Sequence, residues 1–255
     1  GQTVIVKNGM PGQKVRFMIN KKRGGRVEAR LLEVLEPSPL ETRKPVCSIF
    51  PQCGGCMYQT MDYSHQLEMK QEQIRRLLDT AIKNGGQVDE NGNPDDVFEG
   101  IKGSPTEFCY RNKMEFSFGD AEKDGPLTLG LHKKGSTYDV LTASDCKLVH
   151  EDLTKILTCV LDYCKKQGFT YYHKMRHEGY LRHLLVRKAV KTGEILIDLV
   201  TSTQTEGFDE WALLEEMKAR ILSLPFDGKV AGILHTRNDS VADVVLNEGT
   251  QILHG

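Results

Sequence analysis

The sequence has few of the features that would place it in a membrane or give it a nucleotide-binding loop. No apolar run approaches the roughly 20 residues that a helix needs to cross a bilayer. No GxGxxG or P-loop pattern occurs, so nothing in the chain reads as a site for S-adenosylmethionine or a nucleotide. No 20–50-residue repeat is present, which excludes a solenoid. The opening GQTVIVKNG lacks both an initiator Met and the basic-then-apolar pattern of a leader. These features predict a cytoplasmic protein whose chain begins partway into a domain. At 255 residues, 39% of them hydrophobic and 27% charged, the sequence has the composition of an ordinary globular protein.

Net charge is also scarce, at −1, but its distribution is uneven. Residues 1–46 carry ten lysines and arginines against four acids, so the rest of the chain is acidic. A basic leader on an acidic body attracts a phosphate backbone at one end. A solvated charged face is the other reading of the same pattern.

Several short β-rich runs (TVIVK, KVRFMI, RVEARLLEVLE) are separated by the turns MPGQ and NKKRGG. Their spacing predicts part of a small barrel of the oligonucleotide-binding kind. Pro37, Pro39 and Pro45 stiffen a linker. A helix is predicted from Asp62 or Ser64 to Asn84, with Leu67, Ile74, Leu77, Leu78 and Ala81 on one face. The acidic, turn-rich 84–97 reads as an exposed loop. Alternating strands follow from Phe108, then a helix over Glu151–Gln167, a hairpin of Leu181–Val190 with Glu194–Thr201, a helix over Phe208–Leu224, and a second hairpin of Lys229–Thr236 with Ser240–Asn247. The predicted fold class is α+β, an antiparallel-sheet domain with helices on one face following a partial barrel.

Seven cysteines form an odd set in a chain without an export signal, so metal ligation or catalysis is favoured over disulfides. Cys47, Cys53 and Cys56 are the sharpest group, because thiolates two apart across the Gly54-Gly55 turn can face one metal while a third swings in. A fourth ligand is needed. Cys146 is the best candidate, in the polar SDCK loop just before a helix whose N-terminus favours a thiolate. Cys109, Cys159 and Cys164 read as small buried groups. Zinc ribbons usually show two CxxC knuckles and only one is present, but spacing alone leaves zinc and an iron–sulfur cluster both open. His173 and His177 have ligand spacing but sit in a loop-like stretch without the Glu of HExxH, and metal ligation is not expected of them. Tyr110–Lys113, His132–Lys134, Arg182, His183 and Arg187 place cations beside strands, where they can meet phosphates or bases.

The run EVLEPSPLETRKPVCSIFPQCGGCMYQTMDYSHQLEMKQEQI closely resembles the iron–sulfur 23S ribosomal RNA uracil-5 methyltransferases. YRNKMEFSFG, GLHKKGSTYDV, SDCKLV and HEGYLRHLLVRK resemble the same family's central domain, in the same order, so the likeness covers nearly the whole chain. It implies a TRAM domain, which is a barrel of the oligonucleotide-binding type, leading into a [4Fe–4S] segment held by Cys47, Cys53, Cys56 and Cys146. It also implies RNA contacts at Lys21, Lys22, Arg23, Arg26, Arg111 and Lys113. The family's catalytic domain binds S-adenosylmethionine and carries a nucleophilic cysteine, and none of its motifs is found here.

The resemblance therefore implies a cytoplasmic, monomeric RNA-recognition and cluster portion, inactive alone, with ribosomal RNA as partner, no membrane contact and no catalytic residue of its own. Its expected divisions are 1–40 partial barrel, 41–61 Cys-rich segment, 62–97 helix and loop crossing to the catalytic domain, 98–249 central domain, and 250–255 the start of that further domain. The alternatives are a non-catalytic RNA-binding module with a structural four-Cys metal site, and a relative of the transfer RNA uracil-5 methyltransferases.

Overall fold

The computed structural model describes residues 3–85, 98–241 and 245–255. It has two compact units: 1–46 with 57–105, and 47–56 with 106–255.

In the first unit, β1 (Val4–Lys7), β3 (Arg26–Glu36) and β2 (Lys14–Arg23) lie side by side in that order, β1 parallel and β2 antiparallel to β3. Gly24 and Gly25 join β2 to β3 with φ of +55° and +75°, the pair of positive angles that a two-residue type I′ hairpin needs. Val27 and Ala29 are buried, whereas Phe17, Met18, Ile19, Leu32, Val34 and Leu35 are exposed. Among the described residues these strands make an open three-stranded sheet, three strands being too few to close a barrel. The linker is tied down. The Glu41 carboxylate accepts hydrogen bonds from Ser38 N–H at 2.8 Å, Gln13 Nε2 at 2.9 Å and Thr60 Oγ1 at 3.0 Å. Helix α1 spans Tyr63–Gly85, and Tyr63 Oη accepts from Ser104 N–H at 2.6 Å. Its predicted apolar face is largely uncovered, with Leu77 74% exposed and Ile74 and Leu78 also exposed. The side chain of Ala81 and residues 86–97 of the expected acidic loop lie outside what is described.

The second unit is built on seven strands, β4 (Lys113–Asp120), β5 (Leu127–His132), β6 (Val140–Thr142), β7 (Leu181–Lys188), β8 (Glu194–Thr201), β9 (Lys229–Arg237) and β10 (Thr250–His254), in the order β10-β9-β8-β7-β4-β5-β6. Alternate residues, among them Met114, Phe116, Leu184, Val186, Ile195, Ile197 and Ile233, turn one face of the sheet into the core. Helices α2 (Glu151–Gln167) and α3 (Glu210–Leu222) close that face with Leu153, Ile156, Leu157, Val160, Met217 and Ile221. Asp209 caps α3 by accepting from Ala212 N–H at 3.1 Å, and Gly168 ends α2 in the left-handed region at φ +73°.

Two expectations are corrected. The sheet is mixed, because β8 and β9 run parallel. A parallel pair needs a crossover, and α3 supplies it. The partner of β9 in the expected second hairpin is β10, not Ser240–Asn247. The chain after β9 folds back on itself, with Asn238 N–H bonded to Thr201 O at 2.8 Å and Arg237 N–H to Gly249 O at 2.8 Å, which delivers 250–254 to the sheet edge. Residues 242–244 lie outside the described part. Among the described residues, no helix is long and apolar enough to cross a membrane.

Candidate functional site

The segment 47–56 folds against the second unit as a short extra layer. Cys53 bridges to Lys133, Gly54 N–H donates to His132 O at 3.0 Å, and Lys134 N–H to Gln52 O at 2.7 Å. The close approach explains the glycines. A Cβ on Gly54 would stand 3.2 Å from His132 O, and one on Gly55 would stand 3.1 Å from the Leu131 side chain. Gly55 N–H donates to Cys53 Sγ at 3.3 Å, which orients that sulfur and favours its anionic form. From the other side, Ser48 donates both its N–H and its hydroxyl to Asp145, the residue before Cys146. Lys147 also bonds Asp145, and its ammonium holds that carboxyl below the usual range against the opposing effect of burial. Two loops distant in sequence are thereby tied together, Cys47 and Cys146 each one residue from the tie.

All four predicted ligands gather here. Burial pushes the Cys146 thiol up, and Cys56, Cys47 and Cys53 each push it further. Burial also raises Cys53, with Cys56 and Cys47 adding to it. Cys53 and Cys146 are thus buried beside two further thiols, a set whose thiolate form wants a cation. No three of the sulfurs lie within 4.8 Å of one another among the described residues. Around one zinc, with Zn–S of about 2.3 Å, tetrahedral sulfurs would stand about 3.8 Å apart. Of the other cysteines, Cys164 is buried as expected, but Cys109 is exposed, at φ +55°.

The tight group of metal-type ligands that does occur, His150, Asp152 and Asp227, is already served by a cation. Lys188 Nζ bonds Asp152 at 2.8 Å and Asp227 at 3.2 Å and lies 3.1 Å from His150 Nδ1. This is a staple between α2 and the start of β9. Burial works against the Asp152 carboxylate, but the hydrogen bonds from Lys188, Gly228 and Asp227 outweigh it and leave the carboxyl below its ordinary range.

Of the predicted RNA contacts, Lys21, Lys22, Arg23 and Arg26 are exposed at the β2–β3 hairpin tip in the first unit. In the second unit, the Arg111 guanidinium lies 6.0 Å from the Tyr110 ring centre, and Lys113 pairs with Glu115 at 3.1 Å. Sequence reasoning noted Arg182, His183 and His132 only as cations. It missed Asp120, Tyr138, Tyr171 and Tyr172, which share a cavity with them. The aromatic and histidine density of YYHKMRHEGY was the available signal.

The chain is 42% identical over its whole length to an uncharacterized RNA methyltransferase of Clostridium tetani and 41% identical to one of Caldanaerobacter subterraneus. It spans about half the length of these curated relatives, 52% and 53%. Among solved structures, it superposes on the tRNA (uracil-54, C5)-methyltransferase of Pyrococcus abyssi, crystallised with S-adenosyl-L-homocysteine, with a TM-score of 0.64. That match covers 97% of this chain and 50% of the archaeal one at 20% sequence identity, a likeness of fold. No protein-family model matches the chain.

Proposed function

We propose that this chain is the RNA-recognising half of a cytoplasmic, monomeric, S-adenosylmethionine-dependent RNA uracil-5 methyltransferase, holding a [4Fe–4S] cluster on Cys47, Cys53, Cys56 and Cys146 and acting on ribosomal RNA. The observation that carries the reading is the thiol quartet. It joins two loops 90 residues apart in a chain whose relatives are called RNA methyltransferases. Four thiols suit either a cluster or zinc as a donor set, and the likeness of CGGC, with its upstream and downstream cysteines, to the iron–sulfur methyltransferases supports the cluster. Transfer of a methyl group to C5 moves no net electrons, so the cluster serves as a structural clamp between 47–56 and the loop before α2.

On this reading the residues of this chain bind and orient RNA, with Lys21, Lys22, Arg23, Arg26, Arg111 and Lys113 meeting phosphates. The S-adenosylmethionine site and the reacting groups belong to the other half of the relatives' length, and the exposed α1 face of Ile74, Leu77 and Leu78 is where that half packs. The chain alone has no methyltransferase activity.

Anaerobic purification tests the reading directly. About four iron and four sulfide per chain are expected, with Cys→Ser at any of the four positions abolishing retention. One stoichiometric zinc in a colourless protein overturns the cluster. Titration with ribosomal RNA at several salt concentrations tests the rest. Replacing Lys21, Lys22, Arg23 and Arg26 together by Ala should reduce the log–log salt slope by about 3. Transfer RNA bound more tightly than ribosomal RNA would move the substrate to that of the archaeal neighbour.

A further inference from the structure

At the end of β4 the second unit carries a cavity of about 360 Å³ that none of the roles above uses. On β4, Met114, Phe116 and Phe118 enter the helix-side core, so Lys113, Glu115, Ser117 and Gly119 belong to the opposite face. Across the register Lys113 meets Arg187 and Ser117 meets His183. The candidate RNA contact Lys113 and the cavity residue Ser117 therefore share one face of one strand, about 13 Å apart at ~3.3 Å per residue.

A bulge lies in the wall of the cavity. Leu181 pairs with Thr201 and His183 with Val200, which leaves Arg182 as the extra residue. Consecutive residues of a regular strand point to opposite faces, yet here Arg182 and His183 line the same cavity. Both are buried. Arg182 is fixed, with its guanidinium 4.1 Å from the Tyr172 ring centre and donating to Asn238 O at 2.9 Å. Tyr171 donates to the buried Asp120 at 2.9 Å. Gly119 lets Val140 pack close to β4, since a Cβ there would stand 2.7 Å from Val140 Cγ2. His132 also lines the cavity, and its buried Nδ1 has no hydrogen-bond partner.

The lining matches one ligand chemistry. Tyr138, Tyr171 and Tyr172 offer aromatic faces for a planar ring, and Ser117, Asp139 and His183 offer hydrogen bonds to its edge. Lys123 and Lys174 also line the cavity and supply charge for a phosphate. The volume is at the low end of small-molecule sites, about 300–1,000 Å³, suited to one nucleotide. We propose that this cavity holds a single unstacked ribonucleotide of the RNA substrate, its base against the tyrosine rings and its phosphate at Lys123 and Lys174. The proposal rests on the RNA-methyltransferase reading and adds to it a second anchoring point, separate from any nucleotide undergoing reaction.

The test titrates the full chain with UMP, CMP, AMP and GMP at millimolar concentration, with ribose 5-phosphate as control, following backbone amide resonances. At least one nucleotide should bind saturably, shifting resonances of 117–119, 132, 138–139, 171–175 and 182–183, while the control does not. Tyr138, 59% exposed, can be replaced without harm to the fold. Tyr138→Ala should weaken binding about tenfold, the loss of one stacked ring, and Tyr138→Phe should restore it. No saturable binding, or binding indifferent to Tyr138→Ala, overturns the proposal. A parallel titration with ribosomal RNA separates the two readings. RNA binding that persists while mononucleotides fail removes the cavity alone. Mononucleotide binding without any RNA binding leaves a nucleotide site and removes the RNA reading on which the proposal rests.

Discussion

The two sheets of this protein are written in similar amino-acid patterns and end in opposite states. In the seven-stranded sheet Phe116, Leu129, Leu184, Ile195, Ile197 and Ile233 are completely buried. In the three-stranded sheet Phe17, Met18, Ile19, Leu32 and Val34 stay exposed, Leu32 by half. Strand propensity is comparable. What differs is the second layer: α2 and α3 lie along one face of the large sheet, while among the described residues the small sheet buries little beyond Val27 and Ala29. Alternation makes a strand, but burial needs something to be buried against.

If that contrast is right, equal deletions should have unequal effects. Leu157→Ala, in the layer between α2 and the large sheet, should cost about 3–5 kcal/mol by chemical denaturation of the second unit. Phe17→Ala removes more atoms from the small sheet and should cost less than about 1 kcal/mol. Comparable losses at the two sites would break the comparison.

Within the large sheet, the end of β7 by α2 can be set against the uncovered face. At that strand end, Lys188 neutralises the buried Asp152, and Lys188→Ala should cost about 2–3 kcal/mol by stranding that carboxylate. The pairing is also pH-dependent. Asp152 titrates lower in the fold than its unfolded value of about 3.9, so its contribution is complete above that pH and fades as pH falls through the lower folded value. On the uncovered face, Asp198 has the opposite character. Burial pushes its carboxyl up, Thr236 Oγ1 donates to one oxygen at 3.0 Å, and the other oxygen is buried without a partner. A raised acid costs stability above its folded value, and the cost disappears as pH falls below the unfolded one. Asp198→Asn should therefore gain about 1 kcal/mol at pH 7 and nothing near pH 3, read from denaturation midpoints across that range.

The same asymmetry governs what the sequence made legible. Helices α1, α2 and α3, the β7–β8 hairpin and the basic β2–β3 turn all follow from local periodicity and caps, which depend on neighbours a few residues away. The parallel β8–β9 pair and the pairing of β9 with β10 depend on where the chain returns from α3 and from the 238–249 loop, a three-dimensional outcome that no local pattern encodes. The cysteines divide similarly. Cys47, Cys53 and Cys56 were legible as a set from the turn between them, and Cys146 came from its loop and from resemblance. Its approach to Cys47 depends on Ser48 meeting Asp145. The Tyr138–Tyr172 cavity was illegible because its lining comes from β4, β5, β7 and the loops around Tyr138 and Tyr171, which only the fold brings together.

The smallest effect is expected at α1, and it sharpens the contrast most. Leu77 is 74% exposed and Ile74 40%, so a side chain that reads as core in the helical pattern contributes little within this chain. Leu77→Ser should change stability by no more than about 0.5 kcal/mol. On the proposed reading the same substitution in a protein of the relatives' full length should cost several times more, because the remaining half would pack against this helix face. Denaturation of both lengths, with and without Leu77→Ser, measures the difference. A large cost already in this chain would mean that α1 belongs to a core of the first unit, and that burial in this molecule does not depend on a missing layer after all.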